Sequence, residues 1–144
     1  MKAKKTTDKK KRYEGFTAAE KAAMANRVQE MKLGDKDVEA EVLEKIAEMK
    51  DTDRVMAKRI HEIVKSVPGM ESRLWYGMPA YSKGGKTVCF FQPAAKFKTR
   101  YATLGFNDPA HLDDGHFWPV AYAITTLTAA DESKIAALIK KAAS

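Results

Sequence analysis

The sequence predicts an α+β domain with helices first, an antiparallel sheet in the middle and one helix at the end. Apolar residues recur at helical spacing before residue 68 and after residue 128, whereas short aromatic and β-branched runs lie between them. The pair Gly84-Gly85 stands between two such runs and is typical of a tight hairpin turn. Strands linked by hairpins favour an antiparallel sheet of about four or five strands, with the helices packed largely on one face.

Three of the four predicted helices have clear signals at one end or along one face. The first spans residues 17–32 and opens on Thr17-Ala-Ala-Glu20, which has the sequence of a capping box. The second spans residues 37–49, with apolar residues at helical spacing on one side and glutamates on the other. The final helix follows Thr128-Ala-Ala-Asp131, which resembles a second cap.

The third predicted helix offers several candidate caps at its start. Asp51, Thr52 or Asp53 can each accept a bond from a free amide of the first turn. The dipeptide Pro68-Gly69 then ends the helix, which we expect to stop near residue 67. The apolar stripe that faces the core consists of Met56, Ile60, Ile63, Val64 and Val67.

Short runs rich in aromatic and β-branched residues predict the strands. The expected strands are residues 73–76, 80–83, 86–92, 99–105 and 120–125. Between the first two, Gly77-Met78-Pro79 is expected to interrupt the sheet. Pro79 cannot donate a backbone hydrogen bond, and Gly77 allows dihedral angles that other residues avoid.

Most of the net charge of +7 belongs to the N-terminal tail. Residues 1–12 hold seven cations and one anion, whereas the remainder holds 19 cations and 18 anions. The sequence therefore predicts a disordered basic tail over residues 1–12 and a single folded domain over residues 13–144. The tail is interpreted as solubilising, with weak nucleic-acid binding as the alternative. The cations that would contact phosphates are Lys4, Lys5, Lys9, Lys10, Lys11 and Arg12.

Composition excludes several classes of protein. Cys89 is the one cysteine, so neither an intramolecular disulfide nor a thiolate zinc site is possible, and a reducing cytoplasm is expected. No apolar run approaches the roughly 18 residues of a membrane helix, and no secretory signal is expected. No nucleophile motif, phosphate-binding loop or pair of catalytic bases stands out, so the sequence predicts a protein that is not an enzyme.

Carboxylates on the second predicted helix form one candidate metal site. Glu41, Glu44 and Glu48 are spaced to lie on one helix face, and Asp51 follows them. Oxygen ligands of this kind suit a hard cation such as iron. The alternative interpretation is a solvated helix face, because nearby lysines dilute the negative charge.

A second candidate metal site lies in the loop before the last strand. Five potential ligands fall within nine residues: Asp108, His111, Asp113, Asp114 and His116. Imidazole with carboxylate suits iron or zinc. The alternative is ordinary turn chemistry, because aspartates beside Pro109 and Gly115 commonly bond their own backbone.

The aromatic residues are concentrated in the predicted sheet. Eleven of the thirteen lie between Trp75 and Tyr122, which is more than one small core requires. We therefore predict a ligand cleft near the interruption at residues 77–79, whereas the alternatives are a purely structural core and an open face that stacks bases. The candidate cleft residues are Trp75, Tyr76, Met78, Tyr81, Arg100 and Trp118.

The segment Trp75-Tyr76-Gly77-Met78-Pro79-Ala80-Tyr81 resembles the signature of the YdhG-like family of small bacterial domains. The likeness covers nearly all of the chain after the tail, and two stretches resemble an actinobacterial branch. Its further segments are residues 15–20, 46–49, 85–92, 97–101, 104–106, 112–115 and 118–119.

The resemblance implies a frataxin-like α+β sandwich and an intracellular binding protein. Some members of the family are described as iron chaperones, so iron binding is the function that the resemblance implies. It supplies no catalytic residues to carry over. The alternatives are a nucleic-acid-associated accessory protein that uses the basic tail, and a domain that binds a small ligand or another protein.

Overall fold

The structure, a computed structural model, describes residue 22 and residues 35–144. The predicted tail and, apart from residue 22, the predicted helix over residues 17–32 lie outside the described residues. From residue 35 onward the elements are α1 (Asp35–Ala47), α2 (Asp51–Lys65), β1 (Glu71–Trp75), β2 (Met78–Lys83), β3 (Lys86–Gln92), α3 (Ala94–Phe97), β4 (Ala102–Phe106), β5 (Ala121–Ile124) and α4 (Ala129–Ala142).

The five strands form one antiparallel sheet in the order β1-β2-β3-β4-β5, so each strand pairs with its neighbour in sequence. This confirms the predicted α+β class and the antiparallel sheet. The hairpin predicted at Gly84-Gly85 is also confirmed, because Lys83 pairs with Lys86 across it. Both glycines have positive φ, +59° and +82°, as a two-residue turn of this kind requires.

The predicted interruption between β1 and β2 is wrong in position. Trp75 pairs with Met78, so the turn is made by Tyr76 and Gly77 alone, with φ of +53° and +77°. Pro79 lies inside β2, opposite Leu74 of β1. The register between β2 and β3 begins only after it, at residue 80, so Pro79 has a partner strand on one side. The missing N–H of proline is tolerated at such an edge position.

One core joins the three longer helices to a single face of the sheet. Val42 of α1, Ile60 of α2 and Ile139 of α4 are fully buried there. Tyr81 of β2 and Phe91 of β3, the central strand, are fully buried against them. The predicted packing of helices largely on one face follows from this arrangement. No helix in residues 35–144 has the length and apolar character needed to cross a bilayer.

On the opposite face of the sheet, side chains of neighbouring strands pack against one another. Phe90 lies over Gly105 of the neighbouring strand so closely that a Cβ atom at Gly105 would stand 2.2 Å from the ring. Trp75 meets Phe90 edge-on, with 5.1 Å between the ring centres. Arg73 covers Ser82, whose hydroxyl accepts a 2.7 Å bond from Nε.

The start of α2 differs from the prediction. Lys50 is the N-cap residue and makes no side-chain capping bond, so the predicted caps at residues 51–53 are wrong. Asp53 is buried and points away from its own helix start. Its carboxylate accepts the N–H groups of Ala94 at 3.2 Å and Ala95 at 3.0 Å, which fixes the short helix α3 against α2. The sequence analysis did not predict α3.

The start of α4 agrees with the prediction. The Thr128 hydroxyl accepts a bond from the Asp131 N–H at 3.2 Å, and the Asp131 carboxylate accepts one from the Thr128 N–H at 3.0 Å. This reciprocal pair is the capping box that the sequence indicates. The bonds to Thr128 also lower the pKa of Asp131, because they stabilise its charged form.

Candidate functional site

Three separate segments of the chain enclose a partly open cavity of about 310 Å³ at one end of the sheet. The segments are the junction between α1 and α2, the β1–β2 turn at Gly77, and residues 93–96. The volume falls near the lower end of small-molecule pockets, which span roughly 300–1,000 Å³. The charged residues that line the cavity are Lys45, Glu48, Lys50, Asp53 and Lys96.

The electrostatic balance of this cavity favours an anion. Three lysines line it against two carboxylates, and the carboxylate of Asp53 already accepts two backbone N–H groups. Within the described part of the chain, Lys45 and Lys50 form no ion pair. Cations held in a concave, partly dry site concentrate their field in the cavity, so an anionic group is stabilised there.

A second, shallower hollow of about 510 Å³ adjoins the cavity. Both spaces are lined by Lys50, Asp53 and Ala95, so they share one wall. The second hollow extends to Arg100, whose guanidinium carbon lies 5.4 Å from the Tyr101 ring centre. The second hollow is lined by two cations, Lys50 and Arg100, and by two carboxylates, Asp51 and Asp53, so its charges balance, whereas the first cavity has an excess of positive charge.

The segment after β3 supplies much of this positive charge. Residues 93–101 contain Lys96, Lys98 and Arg100 and no acidic residue, and residues 95–100 are all exposed. Arg100 was predicted to be a cleft residue, whereas Lys96 and Asp53 were not. The cations of residues 93–101, which have no acidic neighbour in that segment, could have indicated Lys96 as a binding residue. Asp53 gave no such signal, because its position is that of an ordinary helix cap.

The candidate cleft residues are distributed over several environments. Of the set, Arg100 lines the second hollow, and Gly77 from the predicted interruption lines the first. Tyr76 is exposed, whereas Trp75 and Trp118 are half-buried. Met78 and Tyr81 are buried, and neither lines either space. A cavity thus lies beside residue 77, as predicted. Among the described residues, however, it is lined by three lysines and by no aromatic ring.

Of the helical carboxylates predicted to bind metal, Glu48 lines this cavity and Asp51 lines the second hollow. Glu44 is exposed, and Glu41 is half-buried one turn earlier. Asp51 forms a 2.9 Å ion pair with Arg54 on the surface of α2. Lysines of the same junction share the space with Glu48, which makes it less suited to a cation.

The loop candidates line neither of the two spaces. Asp108, Asp113, Asp114 and His116 are exposed, and the Nδ1 atom of His111 lies 2.5 Å from the backbone oxygen of Ser144. Among the residues that the structure describes, no three His, Cys, Asp or Glu side chains form a group that could hold a metal ion. Iron binding therefore stays a prediction, and the described residues provide no set of ligands for it.

The remaining candidates, Lys4, Lys5, Lys9, Lys10, Lys11 and Arg12, lie outside the described residues.

Comparison with known proteins gives no match. No family model, curated protein or solved structure matches the chain. The resemblance to the YdhG-like family therefore stays a prediction, and the chemistry of the cavity rests on its own geometry.

A chain of polar contacts links α1, α2 and the sheet, and it is buried at His61 and Tyr81. The Tyr81 hydroxyl lies 3.0 Å from His61 Nδ1, and His61 Nε2 lies 3.3 Å from a carboxylate oxygen of Glu39. Lys65 approaches the same oxygen at 3.3 Å. A neutral imidazole with its proton on Nε2 satisfies both contacts, because Nε2–H donates to Glu39 and Nδ1 accepts from Tyr81.

Burial favours the neutral forms of Cys89, Tyr81 and His61. It raises the pKa of the Cys89 thiol to about 12, so this cysteine is not a nucleophile at neutral pH. It also raises the pKa of Tyr81. For His61, burial lowers the pKa, and this effect exceeds the opposing influence of Glu39. The chain is therefore a structural link between helices and sheet.

The stability of the protein is expected to fall as the pH drops below 6.5, the usual pKa of histidine. The folded-state pKa of His61 lies below that value, so the unfolded chain takes up a proton first. The contribution of neutral His61 is complete above pH 6.5 and decreases towards its folded pKa. Urea denaturation at several pH values between about 7.5 and 5 measures this slope.

The variant His61→Asn should lose that part of the slope, whereas His116→Asn, at an exposed position, should retain it. Equal slopes in both variants would contradict the assignment to His61.

Proposed function

We propose that this protein is a binding domain, not an enzyme, whose cavity between α1, α2 and the β1–β2 turn holds a small anionic ligand. The observation that carries the proposal is the convergence of Lys45, Lys50 and Lys96 on one cavity of about 310 Å³. Its buried carboxylate, Asp53, is occupied by backbone N–H groups. An anion entering this space gains charge-assisted hydrogen bonds from the ammonium groups.

The lining supports binding rather than catalysis. The described residues that line it include none of the Ser, Cys, His and Tyr side chains that serve in many catalytic sites as nucleophile or proton carrier. Its lysines are suited to binding an anion, because each carries a compact ammonium group with three hydrogen-bond donors on a flexible side chain. The expected cytoplasmic location fits this proposal, because small phosphorylated and carboxylated metabolites are abundant there.

The small-ligand hypothesis is favoured over the iron-chaperone hypothesis that the family resemblance implies. Glu48, the candidate iron ligand that lines the cavity, shares it with three lysines. A cation at Glu48 would be repelled by these ammonium groups, whereas an anion would be attracted. The two hypotheses therefore predict opposite effects of removing the Glu48 charge.

Titration calorimetry of the full chain with inorganic pyrophosphate at low salt tests the proposal. The double variant Lys45→Gln/Lys50→Gln is expected to bind at least about thirtyfold more weakly, because two charge-assisted bonds are lost and each contributes about 1 kcal/mol or more. Lys58→Gln is the matched control, since Lys58 is an exposed lysine of α2 that lines neither space. Pyrophosphate binding that is absent at millimolar concentration, or equally weakened in the control, would refute the proposal.

The variant Glu48→Gln separates the two hypotheses. The anion-binding proposal predicts tighter pyrophosphate binding, because a repelling charge has been removed. The iron hypothesis predicts weaker binding of ferrous iron in an anaerobic titration, since a ligand has been lost. Saturable iron binding that depends on Glu48, together with unchanged pyrophosphate affinity, would favour the iron hypothesis.

A further inference from the structure

We infer that the ligand of the lysine-lined cavity carries a planar ring beside its anionic group, which makes a mononucleotide the chemical class that fits best. This inference rests on the proposed function and specifies a second chemical group of the ligand, a planar ring, in addition to its anionic group. Its basis is a pair of exposed aromatic rings, Tyr76 and Phe97, placed next to the cavity by Lys96.

Lys96 connects the cavity to both rings. It lines the cavity, and its Nζ atom donates to the backbone oxygen of Tyr76 at 3.4 Å. The same atom lies 5.7 Å from the centre of the Phe97 ring. Tyr76 is 49% exposed and Phe97 is 42% exposed, so both retain ring surface for a ligand. An anion bound to Lys96 would therefore lie close to the rings of both Tyr76 and Phe97.

The backbone at this rim is held in an uncommon conformation. In the described residues, Tyr76 and Lys98 are the two non-glycine positions with positive φ, at 53° and 55°. One precedes Gly77 of the cavity and the other follows Phe97. A two-residue turn such as Tyr76-Gly77 is formed more readily by Asn or Gly at its first position. A tyrosine there costs conformational energy that the turn alone does not require, which is consistent with a use for its ring.

The charges and rings together match the two parts of a nucleotide. Lysines in the cavity suit a phosphate, and an aromatic ring stacks any base because every base has a π-face. Arg100, on the same exposed segment, lines the adjoining hollow and supplies a further cation near the cavity. The partly open cavity of about 310 Å³ has the size of a small-molecule site, so a mononucleotide is favoured over a polymer.

The experiment compares three probes by calorimetry with the full chain: adenosine 5′-monophosphate, ribose 5-phosphate and inorganic pyrophosphate. Tyr76→Asn removes the ring and suits the positive φ of the turn. It is expected to weaken adenosine 5′-monophosphate about tenfold, in line with the measured range for one stacked base, and to leave ribose 5-phosphate unchanged. Phe97→Ala should act in the same direction.

The control is Phe117→Ala, which removes a ring that is 90% exposed and lines neither space. It should change no affinity. If adenosine 5′-monophosphate and ribose 5-phosphate bind equally and Tyr76→Asn changes neither, the inference fails while the proposed function stands. If pyrophosphate also fails to bind, both fail. A short single-stranded oligonucleotide that binds more tightly than the mononucleotide would replace it with a polymer and overturn the inference.

Discussion

Replacing Gly105 with alanine is expected to lower the free energy of unfolding by about 1–3 kcal/mol, the usual cost of inserting a methyl group into a filled site. The new Cβ atom would lie 2.2 Å from the Phe90 ring. That ring cannot move aside freely, because Trp75 packs edge-on against it at 5.1 Å between ring centres. Urea denaturation followed by circular dichroism measures the change.

A double variant tests whether the clash with Phe90 is the cause. Gly105→Ala in a Phe90→Ala background should cost much less than in the native background, because the added methyl group would then enter vacated space. An equal cost in both backgrounds would contradict this explanation.

Replacing Asp53 with alanine is expected to lower the free energy of unfolding by about 2–3 kcal/mol, since a buried carboxylate and two charge-assisted bonds disappear. The N–H groups of Ala94 and Ala95 lose their acceptor, so α3 should detach from the start of α2. Because Asp53 also lines the cavity, the affinity for pyrophosphate should change with it. Denaturation and the pyrophosphate titration together measure both effects.

Asp51→Ala is the matched control, because the Asp51 side chain is 93% exposed and pairs only at the surface with Arg54. Its cost should stay below about 1 kcal/mol. Asp53→Asn keeps one acceptor oxygen and should fall between the two. Equal costs for Asp53→Ala and Asp51→Ala would show that Asp53 does not hold α3.

Features set by neighbouring residues were predicted well from the sequence. The turn at Gly84-Gly85 and the cap at Thr128 depend on residues within four positions of each other, and both are confirmed. Helices α1, α2 and α4 follow from apolar spacing along a single segment, and their ends differ from the predicted ends by a few residues. Local chemistry was sufficient for these elements.

Features that depend on distant residues were not predicted. Asp53 is a plausible helix cap by its position, but its partners Ala94 and Ala95 are about forty residues further along the chain. Pro79 suggested a break because its neighbouring strands were unknown, and the register shows that only β1 lies beside it at that point. The cavity draws on three segments that become neighbours only after the sheet and helices pack together.

The sequential order of the strands has a consequence for how the protein folds. β1, β2 and β3 are joined by two turns of two residues each, at Tyr76-Gly77 and Gly84-Gly85, so the first half of the sheet has very low contact order. Closing such short loops is fast. The pairing of β5 with β4 is slower, because it requires closure of the longer loop formed by residues 107–120. We therefore expect the three-stranded meander to form early in folding, and the lysine-lined cavity, which needs α1 and α2 docked on the sheet, to be completed late.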